Sequence, residues 1–165
     1  MRWVIWVVAG IAVIGALIVI VGYSLPKGHT ATGSVQLAQP PEAVYALLSD
    51  VDNYPSWRPG VKTVTRQPDR DGRPAWTEHV SGMKIPLYFE KMDAPSRLLA
   101  RISDPSLPFG GTWTYRIAPT AGGSLVTITE DGEVYNPFFR FMSRFVFGYQ
   151  ATLDEFVKNL KVRTP

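Results

Sequence analysis

The sequence contains no cysteine. Disulfide frameworks, thiolate metal sites and cysteine nucleophiles are therefore excluded, and composition leaves the redox compartment open. Histidine is nearly as scarce, with His29 and His79 the only two. One falls in the stretch after the apolar run described below and the other in an expected strand. A three-ligand zinc site or a two-histidine, one-carboxylate iron site cannot be assembled from them in the usual way, so no metal and no cofactor is expected. No GxSxG, Walker loop, HExxH or dinucleotide glycine fingerprint occurs either. A strong excess of one charge is also missing: 17 Lys and Arg face 14 Asp and Glu, for a net charge of +3. A phosphate-tracking surface needs a clustered basic stripe, so no nucleic-acid partner is expected. Arg58, Lys62, Arg66, Arg70 and Arg73 come closest to one, but Asp69 and Asp71 interrupt them. That stretch reads as a solvated, turn-rich edge, with a membrane-facing basic patch as the alternative.

What the chain does have is a long apolar run. Trp3 to Tyr23, "WVIWVVAGIAVIGALIVIVGY", carries no charge, and roughly 20 apolar residues cross a hydrocarbon core of about 30 Å. A cleaved signal peptide has a shorter apolar core, of about 7 to 15 residues, and ends in a small-x-small site that "SLPKGHT" does not offer. Residues 3–23 are accordingly expected to be an uncleaved, single-pass N-terminal anchor, with Trp3, Trp6 and Tyr23 near the headgroup layers. Arg2 and the α-amino group on one side against Lys27 on the other weakly favour an extracytoplasmic domain. The expected organisation is an anchor over 1–26, a linker over 27–32 and one domain over 33–165.

From Gly33 the periodicity changes. "SVQLAQ" alternates with period two, and "PPEAVYALLSDVDNYPSW" follows with helical spacing after a proline start. Six further strand patterns come next, separated by "PDRDGRP", "SGM", "DAPS", "DPSLPFGG" and "PTAGG". Asn136 and Pro137 then open a final segment as N-cap and first helical residue. It is expected to be one long helix to Leu160. The order is α+β: strand, two short helices, an antiparallel meander, long helix.

This order, with "PPEAVYALLSDVDNYPSWRP", "GGTWTYRIAPTAGGSLVTITEDGEV" and "NPFFRFMSRFVFG", resembles the polyketide cyclase/dehydrase and lipid-transport group of the START-like (SRPBCC) superfamily. The resemblance implies a helix-grip, Bet v 1-like fold: a curved antiparallel sheet around a long C-terminal helix, enclosing a cavity for a hydrophobic small molecule or lipid. The cavity wall it implies would draw on Trp76, Glu78, Phe89, Trp113 and Tyr115 from the sheet. The final helix would add Phe138, Phe141, Met142, Phe145 and Tyr149. Trp57 matches the family's recurring tryptophan after the first helix pair and is expected to pin that turn over the sheet edge.

The residues themselves leave some roles open. Phe138, Met142, Phe145, Tyr149, Leu153, Phe156 and Leu160 make one apolar stripe at three- and four-residue steps. Phe139, Phe141, Val146 and Phe147 lie off it, and meet covering loops, a cavity or a membrane surface. Trp113 and Tyr115 are core or cavity wall. Strand parity turns Glu78 inward with Trp76 and Val80, and Glu130 inward with Val126 and Ile128. Each acid sits near a strand end where the parity meets solvent, pairs with an arginine such as Arg101 or Arg116, or is poised as a catalytic acid/base. Binding of a hydrophobic ligand is the first reading. A cyclase or dehydratase using Glu78 or Glu130 is the rival.

Overall fold

Parity along the strands decides which residues meet in the interior. In the computed structural model, residues 2–164 are described; Met1, whose α-amino group entered the orientation argument, and Pro165 lie outside them. A 23-residue helix α1 (Arg2–Ser24) leads into strand β1 (Gly28–Leu37). Helices α2 (Pro41–Ser49) and α3 (Tyr54–Trp57) follow, joined by one 3-10 turn over Val51–Asn53. Strands β2 (Val61–Arg70), β3 (Arg73–Val80), β4 (Met83–Asp93), β5 (Arg97–Ile102), β6 (Phe109–Thr120) and β7 (Gly123–Val134) complete the sheet. Its order is β1-β7-β6-β5-β4-β3-β2, antiparallel throughout. The final helices are α4 (Pro137–Met142) and α5 (Ala151–Arg163). This is the expected α+β helix-grip architecture behind an apolar N-terminal helix.

The core lies between one sheet face and the helices. Val44 and Leu48 of α2, Tyr54 and Trp57 of α3, and Leu153, Phe156 and Leu160 of α5 are buried against Phe89, Leu98, Tyr115, Ile117, Val126 and Ile128. Trp57 stands edge-on to Tyr54 and Phe156, with ring centroids 5.6 and 5.4 Å apart. That contact ties α3 to α5, whereas the expectation was a turn pinned over the sheet edge. The Tyr54 hydroxyl donates to the Leu48 carbonyl at 2.6 Å, so this buried polar group is satisfied.

Two sequence expectations are corrected. The strand after the apolar run begins at Gly28 rather than Ser34, because Gly28 to Thr32 pair with Glu133 to Thr129 of β7. Residues 28–32, read as linker, are sheet, and His29 is a strand residue. The segment 136–160 is not one helix. Asn136 does cap it, its Oδ1 accepting from the Phe138 and Phe139 amides at 2.9 and 3.3 Å. After Met142 it widens into a π-turn over Ser143–Phe147, and at Gly148 the backbone takes φ +76°, a left-handed conformation that only glycine enters freely. Helix α5 starts afresh beyond it. The apolar stripe of the segment is thus split between two helices: α5 grips the sheet, whereas α4 packs against α1.

Candidate functional site

Residues two apart on five neighbouring strands face the same space. Trp76, Glu78 and Val80 of β3, Ile85 and Leu87 of β4, Ala100 and Ile102 of β5, Trp113 and Tyr115 of β6, and Glu130 and Val134 of β7 all line one cavity of about 550 Å³. The α4 to α5 segment closes it with Phe139, Ser143, Phe147, Gly148 and Tyr149. A largely apolar and aromatic wall of this size fits a hydrophobic molecule of a few hundred daltons. Among the polar side chains that interrupt that wall are Arg58, Glu78, His29 and Glu130.

They form two pairs of different character. The Arg58 Nη1 donates to Glu78 Oε1 at 2.8 Å, and Trp76 Nε1 donates to the same oxygen at 3.1 Å. The guanidinium also lies over the rings of Tyr54 and Phe156, at 4.7 and 5.1 Å. Burial works against the Arg58 charge, but Glu78 and its neighbours more than offset this and raise its pKa above the usual value. Glu78 is therefore a paired carboxylate, with Arg58 as the partner instead of Arg101 or Arg116. Arg101 bonds Glu90 on β4, and Arg116 is exposed. An acid held by a guanidinium and an indole N–H is poorly placed to shuttle protons.

Glu130 is the contrasting case. Its nearest cation candidate is His29 Nε2 at 3.8 Å, too long for a hydrogen bond. Among the described residues, neither Glu130 Oε2 nor His29 Nδ1, both buried, has a hydrogen-bond partner. Burial pushes the Glu130 carboxyl up to about 7. Burial also lowers the His29 pKa, outweighing the upward pull of Asp131. The imidazole stacks on Tyr149, with ring centroids 3.9 Å apart. The pair thus presents a protonatable carboxyl and a neutral imidazole to the cavity, able to donate to or accept from one polar group of a ligand.

A pH dependence follows. The folded-state pKa of Glu130 is raised, so between about 4.5 and about 7 the native chain holds more protons here than the unfolded one. Its contribution is greatest at low pH and is lost as pH rises through that window. His29, whose pKa is lowered, acts in the opposite sense below its ordinary value of 6.5. Glu130→Gln should therefore gain stability over wild type at pH about 8 and little at pH about 4. Denaturant midpoints at the two pH values check this; an equal shift at both would remove the burial argument.

Of the residues expected on the wall, Trp76, Glu78, Trp113, Tyr115 and Tyr149 line the cavity, as does Glu130. Phe89 is fully buried behind Trp76, with ring centroids 4.7 Å apart, and belongs to the core. Phe138, Phe141, Met142 and Phe145 are not on the wall. The helix that would have aimed them inward gives way to the π-turn after Met142 and packs against α1, and Phe138 and Phe145 are exposed. Sequence reasoning missed Arg58, Tyr54 and His29, and left Phe139 and Phe147 open between covering loops, a cavity and a membrane surface. His29 could have been found by extending the β1 alternation back through Gly28; the others depend on how α3 and the π-turn sit over the sheet. The basic stretch dissolves likewise, with Arg58 turned inward, Arg66 on Asp52 at 2.8 Å and Arg73 on Asp71 at 3.3 Å.

Comparisons with known proteins agree with this fold. A START superfamily protein from Mycobacterium smegmatis is 17% identical with a TM-score of 0.64, over 82% of this chain and 97% of its own. The Zhui aromatase/cyclase from Streptomyces sp. R1128 is 13% identical, TM-score 0.64, over 83% and 93%. The di-domain aromatase/cyclase StfQ of the steffimycin biosynthetic pathway is 14% identical, TM-score 0.64, over 83% of this chain but 51% of its own. At such identities these likenesses speak for the fold alone. No curated protein matches the sequence. The family model for polyketide cyclase/dehydrase and lipid transport matches residues 28–163, beginning where β1 begins, and the chain belongs to that family.

Proposed function

We propose that the protein is a single-pass, membrane-anchored binding protein for a hydrophobic small molecule or lipid, held between the sheet and α5. The observation that carries this is the roughly 550 Å³ cavity with its aromatic wall and the Arg58–Glu78 and His29–Glu130 pairs. An apolar body would lie against Trp113, Tyr115 and Leu87, and one polar group would meet His29 and Glu130. The anchor is α1: Trp3–Ser24 is 22 residues long, and none of its most apolar stretch is buried in the domain. The charge balance around it favours an extracytoplasmic domain.

The test uses full-length protein recovered from its own membranes. It should resist carbonate extraction and carry a hydrophobic molecule visible by native mass spectrometry. Ile102→Trp, placed on the cavity wall, should lose that molecule while keeping its thermal midpoint within a few degrees. An unchanged cargo in this variant would remove the cavity as the binding site.

A second reading rests on Glu130. A carboxyl with a pKa near 7 and no arginine partner is matched to acid/base work, and two of the similar folds are named aromatase/cyclases. Conversion of the recovered molecule that needs Glu130 would favour a cyclase- or dehydratase-like enzyme over a binder.

A further inference from the structure

The strand register fixes which end of the sheet meets α1. Gly28 of β1 pairs with Glu133, and Phe109 with Val134, so the start of β1, the end of β7 and the start of β6 share one edge. The β3–β4 turn, where Val80 faces Met83, lies at the same end. Leu37, opposite Ser124, marks the far end, about 30 Å away for a ten-residue strand. Among the residues that line the cavity, Met83, Pro108, Phe139 and Phe147 are exposed, which puts its opening at the α1 end.

Helix α4 is fixed directly to α1. Gly22 is buried and Ile18 and Val19 are half-buried, whereas the rest of the described apolar run up to Leu17 is exposed. A Cβ at Gly22 would stand 2.0 Å from the Pro137 carbonyl oxygen, so only glycine allows the two helices this close. Arg140, 3% exposed, secures the joint. Its Nη1 donates to the Gly22 and Leu25 carbonyls, its Nε to Val134 and its Nη2 to Tyr135, all at 3.0 Å. One guanidinium thereby satisfies carbonyls left open at the end of α1 and binds them to the end of β7.

The depth of this joint follows from the length of the span. Twenty-two residues extend about 33 Å, close to the hydrocarbon thickness, so Gly22 lies within about one turn of the bilayer surface. Helix α4 and the π-turn, pressed against it, share that depth. They also expose Phe138, Phe139, Phe145, Val146 and Phe147, at 42, 47, 58, 58 and 64%. Beyond α1, only Met83, Leu125, Tyr135 and Val162 are other large hydrophobics so exposed among the described residues, and Met83 and Tyr135 are at this same end. From Pro137 to Gln150 there is no acid, and Arg144 is exposed among the phenylalanines, complementary to anionic headgroups.

We propose that α4 and the π-turn are embedded in the bilayer surface beside the protein's own span, so that the cavity mouth at Phe139 and Phe147 opens onto lipid and its ligand exchanges laterally with the membrane. The occupant of the exposed phenylalanine face is the lipid of that bilayer. The proposal rests on the reading of α1 as an uncleaved anchor.

The absence of cysteine makes the test clean. Single cysteines placed by Phe139→Cys, Phe147→Cys, Ile14→Cys and Ala121→Cys in the full-length chain would each carry an environment-sensitive fluorophore. The protein is reconstituted in vesicles of phosphatidylcholine and phosphatidylglycerol, with and without nitroxides placed shallow or deep on the acyl chains. Labels at 139 and 147 should be quenched by shallow nitroxides at least three-fold more than the label at 121, in the β6–β7 turn at the far end. The label at 14 should respond to deep nitroxides. If 14 is quenched while 139 and 147 behave like 121, the embedded face is wrong and the anchor stands. If 14 is not quenched either, both fall.

Discussion

Glu78→Gln is expected to destabilise the fold by about 3 kcal/mol, the lower end of what removing one partner of a buried ion pair costs. The carboxylate accepts from Arg58 at 2.8 Å and from Trp76 Nε1 at 3.1 Å. Glutamine keeps an acceptor oxygen but leaves the guanidinium without a counter-charge, between the Tyr54 and Phe156 rings. The cost stays at the lower end because Arg58 borders the cavity and can recruit water there. Adding Arg58→Met to Glu78→Gln should recover part of the loss, since the uncompensated charge is then gone. Denaturant titration of the two single variants and the double variant measures this. The outcome also bears on function: if Glu78→Gln were as stable as wild type, the pair would not be structural, and Glu78 would return as an acid/base candidate.

Phe156→Ala is expected to cost about 3 to 5 kcal/mol, the usual range for truncating a buried phenylalanine. The ring is 4% exposed and meets Trp57, Trp113 and Tyr115 at centroid distances of 5.4, 5.5 and 5.6 Å. It is the contact through which α5, α3 and the β6 wall are joined. Phe145→Ala, 11 residues earlier, should change stability by no more than about 0.5 kcal/mol, as for an exposed side chain, because Phe145 is 58% exposed and touches chiefly Phe141. Thermal and denaturant unfolding of both variants in detergent compares them. Comparable large losses at both positions would mean that α4 and the π-turn are packed core, contrary to their exposure.

The contrast between these two phenylalanines shows where sequence reasoning stops. Both lie on one stripe of three- and four-residue steps, and the pattern assigns them the same partner. A single glycine with positive φ at position 148 breaks the helix between them and sends each half to a different surface. Gly148 is visible in the sequence, but a lone glycine in a helical pattern is compatible with continuation as well as with a break. Glu78 and Glu130 make the same point on the sheet. Parity turns both inward, and nothing local separates them. Glu78 meets a guanidinium delivered by the residue after α3, whereas Glu130 meets an imidazole at 3.8 Å.

What the sequence determined by itself was the part governed by local periodicity and composition. The charge-free run of Trp3 to Tyr23, the alternation of seven strands, the Asn136–Pro137 helix start and the inward parity of Trp76, Glu78, Trp113, Tyr115 and Glu130 depend on neighbours a few residues away. Tertiary structure alone decided the long-range pairings: His29 in the wall 101 residues from Glu130, Arg58 on Glu78, and Arg140 on the end of α1 more than 110 residues earlier. The reason is physical. Backbone pattern constrains which face a side chain points to, but the partner waiting on that face is supplied by strands and helices whose order in space follows from packing the whole chain, and a buried charge takes whichever partner that packing brings within reach.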